Sequence, residues 1–64
     1  MPRLFQVVVT RTDRHLLPSG AAIGFSYTLQ ASDAERADVL AAERLAQHAD
    51  ADRLYISKIE DVTP

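Results

Sequence analysis

From Leu16 to Ser32 the chain carries no charged residue. The second half of that run alternates: Ile23, Phe25, Tyr27 and Leu29 fall on one side, and Ala22, Gly24, Ser26, Thr28 and Gln30 on the other. A period of two with one apolar side describes a strand buried on one face, so residues 22–31 are expected to be extended. The missing charge adds a second constraint. Exposed sheet edges are normally blunted by Lys, Glu or Pro, and a strand without them is either interior to its sheet or paired with another chain. With 64 residues and no cysteine, the chain has room for one thin core and no disulfide to reinforce it. An oligomer or a partner would supply the missing burial.

The rest of the chain supplies the neighbours of that strand. Residues 3–11, rich in β-branched side chains, read as a first strand with Phe5, Val7 and Val9 on one face and Leu4, Gln6, Val8 and Thr10 on the other. Asp13, Pro18, Ser19 and Gly20 make 12–21 a loop. Ser32-Asp33-Ala34-Glu35 has the spacing of a capping box, which predicts a helix over 33–49 whose Ala34, Ala41, Ala42, Leu45, Ala46 and Ala49 form the apolar face. Leu40 falls outside that face. Residues 53–60 read as a third strand, with Leu54 and Ile56 toward the helix and Ile59 in need of a bulge to join them. The expectation is a single α+β domain of ββαβ order: a three-stranded mixed sheet with one helix on one face, and strands two and three parallel. Strand orders 2-1-3 and 1-2-3 both remain open. The first is preferred because Val7-Val8-Val9 is apolar on both faces and suits the middle.

Composition excludes several classes of function. Without cysteine there is no thiolate metal site and no thiol nucleophile. Neither His15 nor His48 has a second histidine at ligand spacing, so no metal and no cofactor is expected. Ser19, Ser26, Ser32 and Ser57 lie in no nucleophile-elbow motif, and a single small layer offers little room for a closed pocket, so the chain is expected not to be an enzyme. No apolar stretch approaches the roughly 20 residues of a membrane span. The start, Met1-Pro2-Arg3, lacks the apolar segment of a secretory signal, which leaves the cytoplasm as the expected location.

Charge is unevenly spread within a net of -2: residues 1–16 carry +2 and residues 32–53 carry -3. That is no basic excess of the kind duplex binding demands, so a nucleic-acid binder using Arg3, Arg11, Arg14 and the sheet is the second reading, and a small hydrolase or ligand carrier the third. Six arginines against one lysine, with ten alanines, fit GC-rich coding DNA such as that of many soil bacteria and their phages.

Four surfaces are left over. The sheet face away from the helix and the edge of strand two offer Ser26, Thr28 and Gln30. The loop Arg11-Thr12-Asp13-Arg14-His15 has the forks and hydroxyl of an anion site. His48, with Asp50 and Asp52 behind it, reads as an imidazolium at a helix C-terminus. Leu40, rimmed by Arg36, Arg44 and Gln47, is a candidate apolar anchor. The leading expectation is a non-enzymatic protein-binding module, a homodimeric accessory or inhibitory protein of bacterial or phage type, engaging another protein through Arg11, Arg14, His15, Ser26, Thr28, Gln30, Leu40 and Arg44.

Overall fold

Alternate burial runs the whole length of the first strand in the computed structural model, which describes residues 2–64; Met1, part of the amino-terminal segment considered above, lies outside them. In β1 (Arg3–Arg11), Phe5, Val7 and Val9 are at most 2% exposed, while Leu4, Gln6, Val8 and Thr10 on the opposite face are half-buried. The chain then makes a short 3-10 turn over Arg14–Leu16 and a reverse turn in which the Ala21 N–H donates to the Pro18 carbonyl. Gly20 sits in that turn at φ +87°, the left-handed conformation that a type II turn requires at its third position. β2 (Gly24–Ala31) follows, then α1 (Ala34–Ala46), a second 3-10 turn over Ala51–Arg53, and β3 (Leu54–Asp61).

The strands form one open sheet of order β2-β1-β3, in which β1 pairs antiparallel with both neighbours. This corrects the expected mixed sheet. β2 and β3 do run in the same direction, but β1 lies between them, so no parallel pair is hydrogen-bonded. A strand with apolar residues on both faces takes the only position with strands on both sides. The first residue of β2 must be glycine, because a methyl group added at Gly24 would run into the Val9 carbonyl oxygen.

β3 keeps its apolar residues on the helix side by one extra residue. Ile56 pairs with Val9 and Lys58 with Val8, so Ser57 has no partner of its own and Ile59 returns to the inner face opposite Val7. The bulge is held by hydroxyls: Thr10 Oγ1 donates to Ser57 Oγ at 2.9 Å, and Ser57 Oγ donates to the Val8 carbonyl at 3.2 Å.

The helix differs from expectation at its cap and on its buried face. The cap is Asp33, one residue beyond Ser32: the carboxylate accepts the Arg36 N–H at 2.8 Å, and α1 ends at Ala46, well short of residue 49. The buried face is rotated by roughly 80° from the alanine stripe. Ala37 and Ala41 are fully buried, and Leu40 and Leu45 pack beside them, whereas Ala34, Ala42, Ala46 and Ala49 are exposed. The reason is the size of the payload. Burying a leucine is worth about 1.5–3 kcal/mol and a methyl about 0.8, so the face bracketed by two leucines wins over one with more alanines.

The carboxyl end is tied back to β1. The Val62 N–H donates to the Leu4 carbonyl at 2.8 Å, and Leu4 N–H donates to Thr63 Oγ1 at 2.9 Å. Thr63, through its side chain and its backbone N–H, and then the Arg3 guanidinium pull the Asp61 carboxyl down to about 2. A lowered folded-state value stabilises the charged form. Its contribution is therefore complete above about pH 4, the range of a free aspartate, and is lost as pH falls toward 2. Amide-exchange protection of Val62 is expected to drop across that window and to lose this dependence in Asp61→Asn; protection that is flat from pH 5 to 2 in the wild type would contradict the account.

Deleting Ser57 leaves Leu-Tyr-Ile-Lys-Ile, a regular alternation with Leu54, Ile56 and Ile59 still inward. The deletion is expected to fold, with a stability change within about 1 kcal/mol from the lost hydroxyl bonds. Thermal melting and an amide spectrum test it, and a collapsed spectrum would show that the bulge itself is required.

Candidate functional site

Two features of this fold frame the candidate site: the uncharged outer edge of β2 and the gap between β2 and the carboxyl end of α1. The edge follows from hydrogen-bond parity. Arg11 N–H donates to the Ile23 carbonyl, and antiparallel ladders alternate, so odd-numbered residues of β2 bond to β1. Gly24, Ser26, Thr28 and Gln30 consequently turn their N–H and C=O groups away from the sheet. The side chains of Ser26, Thr28 and Gln30 lie exposed on the outer face, beside half-buried Val8 and Thr10.

The gap is a recess of about 200 Å³ lined by Val9, Phe25, Tyr27, Arg44, Leu45 and His48. Its walls are rings. Phe25 and His48 stack with centroids 5.5 Å apart, Phe25 and Tyr27 lie 6.3 Å apart, and the Arg44 guanidinium carbon sits 4.0 Å above the Tyr27 ring. At that distance a cation over a ring face is attractive by about 0.5–2 kcal/mol. Arg44 has no carboxylate partner among the described residues. The Tyr27 hydroxyl is buried and finds no hydrogen-bond partner in the protein. A second recess of about 140 Å³ shares Phe25 and His48 and continues to Arg11 and Asp50.

His48 lies beyond the last helical residue and forms no ion pair with Asp50 or Asp52; its Nδ1 accepts the Asp50 backbone N–H at 3.2 Å, which leaves Nε2 as the ring's donor. The larger hollow of about 580 Å³ at the other end of α1 is of opposite character, lined by Asp33, Asp38 and Asp61 together with Arg3.

The expected site residues separate into distinct places. Ser26, Thr28 and Gln30 share the β2 edge. Arg44 joins the recess, and Arg11 lies at the far end of the adjoining one. Arg11 is not a free fork: its Nε and Nη2 donate to Asp13 at 2.9 and 3.0 Å, which raises the guanidinium and lowers the Asp13 carboxyl from their ordinary values. Thr12 is also engaged, by both its N–H and its hydroxyl, with the Arg53 carbonyl. Arg14 and His15 stand exposed on the 3-10 turn. Leu40 is not the exposed anchor expected of it, because the rotated helix packs it half-buried on Phe5, Ala31 and Ala37.

Phe25, Tyr27 and His48 were not among the expected site residues, since the alternation of β2 assigns the two aromatics to the core. A signal lies in the wheel of the expected helix 33–49, on which Arg44 and His48, four residues apart, share the stripe of Ala37 and Ala41, although His48 falls just past the observed helix end.

No protein-family model, curated protein or solved structure matches the chain. None of its helices among the described residues is long and apolar enough to cross a membrane.

A buried hydroxyl without an acceptor costs stability. Tyr27→Phe is therefore expected to raise the unfolding free energy by about 1 kcal/mol. Denaturant melts check this, and a clear loss of stability would mean that the hydroxyl has a partner.

Proposed function

We propose that the protein is a non-enzymatic protein-binding module that acts by strand addition at β2, and that the occupant of this edge is a second copy of the chain. The observation that carries the reading is the free edge itself: eight residues of strand, Gly24–Ala31, without a charge, a proline or a bulge on the unpaired side. Such an edge is a template for another strand. The opposite edge is protected, since β3 carries Lys58, Glu60, Asp61 and the Ser57 bulge.

Self-pairing about a two-fold axis has a preferred register. Outward-facing residues must oppose outward-facing residues, and the register centred on Tyr27 is the one that engages all four of them. It sets Ser26 of one copy against Thr28 of the other and Gly24 against Gln30. Phe25 then lies beside Leu29 on the inner face. The result is a continuous six-stranded sheet. The thin core supports the same reading: the buried residues are Phe5, Val7, Val9, Ala31, Ala37, Ala41 and Leu54, three of them alanines, and pairing adds burial where the single chain has little.

Arginine-based nucleic-acid binding receives less support, because Arg3 and Arg11 are already paired with Asp61 and Asp13.

Thr28→Pro removes an outward N–H and no bond to β1, so it is expected to keep the fold by circular dichroism and to convert a dimer to a monomer in sedimentation. In this cysteine-free chain, Tyr27→Cys is expected to form a disulfide dimer under mild oxidation, since the residue faces its own copy at a non-hydrogen-bonded position. A wild-type protein that stays monomeric at hundreds of micromolar, with the Tyr27→Cys variant no more cross-linked than an Arg36→Cys control, would overturn the proposal.

A further inference from the structure

We propose that the recess between β2 and the carboxyl end of α1 is a binding site for a carboxylate carried on a flat, apolar body. The proposal does not depend on strand pairing. The recess lies on the helix side of β2, whereas pairing would use the edge in the plane of the sheet.

The floor of the site is aliphatic, from Val9 and Leu45, and its walls are the rings of Phe25, Tyr27 and His48. A volume of about 200 Å³ accommodates a single ring with a short substituent, since a dry cavity of about 150 Å³ suffices for benzene. Aromatic walls favour a planar guest, which can lie edge-to-face or offset against them, over a branched aliphatic one.

The polar groups select the other half of the ligand. Arg44 and His48, the exposed polar side chains of the recess, each present a donor. Arg44 brings a guanidinium without a carboxylate partner among the described residues, and His48 the Nε2 proton left once Nδ1 has accepted from Asp50; the Tyr27 hydroxyl is unpartnered but covered by protein atoms. No acidic side chain lines this recess. The nearest that lines its neighbour is Asp50, on the side of Arg11. A guanidinium presents two parallel N–H groups to a carboxylate, and a carboxylate oxygen also accepts from an imidazole N–H. Two donors, one of them a cation, above an apolar floor therefore match an aromatic carboxylic acid. The same chemistry is offered by a free small molecule and by the terminal residue of a peptide ending in Phe or Trp.

The probes are 3-phenylpropanoate, its neutral amide, and a pentapeptide ending in phenylalanine with a free or an amidated carboxyl group. Binding is followed by amide and side-chain chemical shifts on the full chain and on the Thr28→Pro variant. Shifts centred on Phe25, Tyr27, Arg44 and His48 are expected, with a dissociation constant on the order of 1 mM for the small acid, as its size allows. The amide should bind at least tenfold more weakly. Arg44→Gln should lose about tenfold, and Arg44→Lys should recover part of that loss, because an ammonium keeps the charge without the fork. Binding by the acid alone assigns the site to small molecules, and tighter binding by the free-carboxyl peptide assigns it to chain ends; either supports the proposal. Equal binding of acid and amide, an unchanged constant in Arg44→Gln, or no shifts at tens of millimolar would overturn it. Retained binding in a monomeric Thr28→Pro variant separates this outcome from that of strand pairing.

Discussion

β1 carries the architecture because it is the one element hydrogen-bonded on both sides and covered on one face by the helix. Its three inward residues, Phe5, Val7 and Val9, are the most deeply buried large side chains of the sheet, and both core clusters are built on them. Apolar burial of that kind is worth about 25 cal/mol per Å² removed from water, and only the middle strand removes it without exposing a flank. Once β1 takes the middle, β2 and β3 are edges by necessity. That placement leaves the β2 edge and the end of the sheet beyond α1 uncovered.

The two edges are treated differently by the sequence. β3 carries charge and an irregularity. Arg3 from β1 reaches Asp61 at 2.6 Å, Lys58 meets Glu60 at 3.3 Å, and Ser57 interrupts the ladder. These exposed pairs contribute little to stability, but their charges make the edge a poor template for another strand. β2 has none of these features, and its neutral run extends back through the preceding loop to Leu16. The asymmetry distinguishes a strand that is kept apart from one that is free to pair.

Much of this was legible before the structure. Period-two patterning gave the inward faces of β1 and β2, and the count along β3 showed that Ile59 needed a bulge. The apolar character of both faces of Val7-Val8-Val9 favoured the central position. The sequence was least informative in the helix, for a definite reason: alanine is nearly as compatible with the surface as with the core, so a stripe of alanines marks no face. The two leucines carried the decision, and their bracket around Ala37 and Ala41 was hidden among the many alternatives. The cap moved from Ser32 to Asp33 because both side chains can accept an N–H at such a position, and composition does not rank them. The recess was illegible for another reason. It is made by residues from β1, β2, α1 and the segment after α1, and no local pattern joins Val9 to His48.

Its origin is a mismatch of lengths. The 13 residues of α1 span about 20 Å, whereas the nine residues of β1 span about 30 Å. The molecule is correspondingly long and thin, with extents of 43 × 23 × 13 Å. The helix therefore runs out before the sheet does, and the uncovered end is where β1 finishes and β2 begins. Phe25 stands there at 41% exposure, too large to be hidden by a helix that has already stopped. The chain covers it in part with His48, from the turn after α1, whose own N–H is bonded back to the Leu45 carbonyl. Arg44, in the last turn of the helix, closes over Tyr27 from the other side. A leucine at either position would have sealed the gap as core. The polar pair instead leaves an aromatic hollow that holds a cation and no carboxylate, and that chemical one-sidedness separates it from the acidic hollow at the opposite end of the same helix.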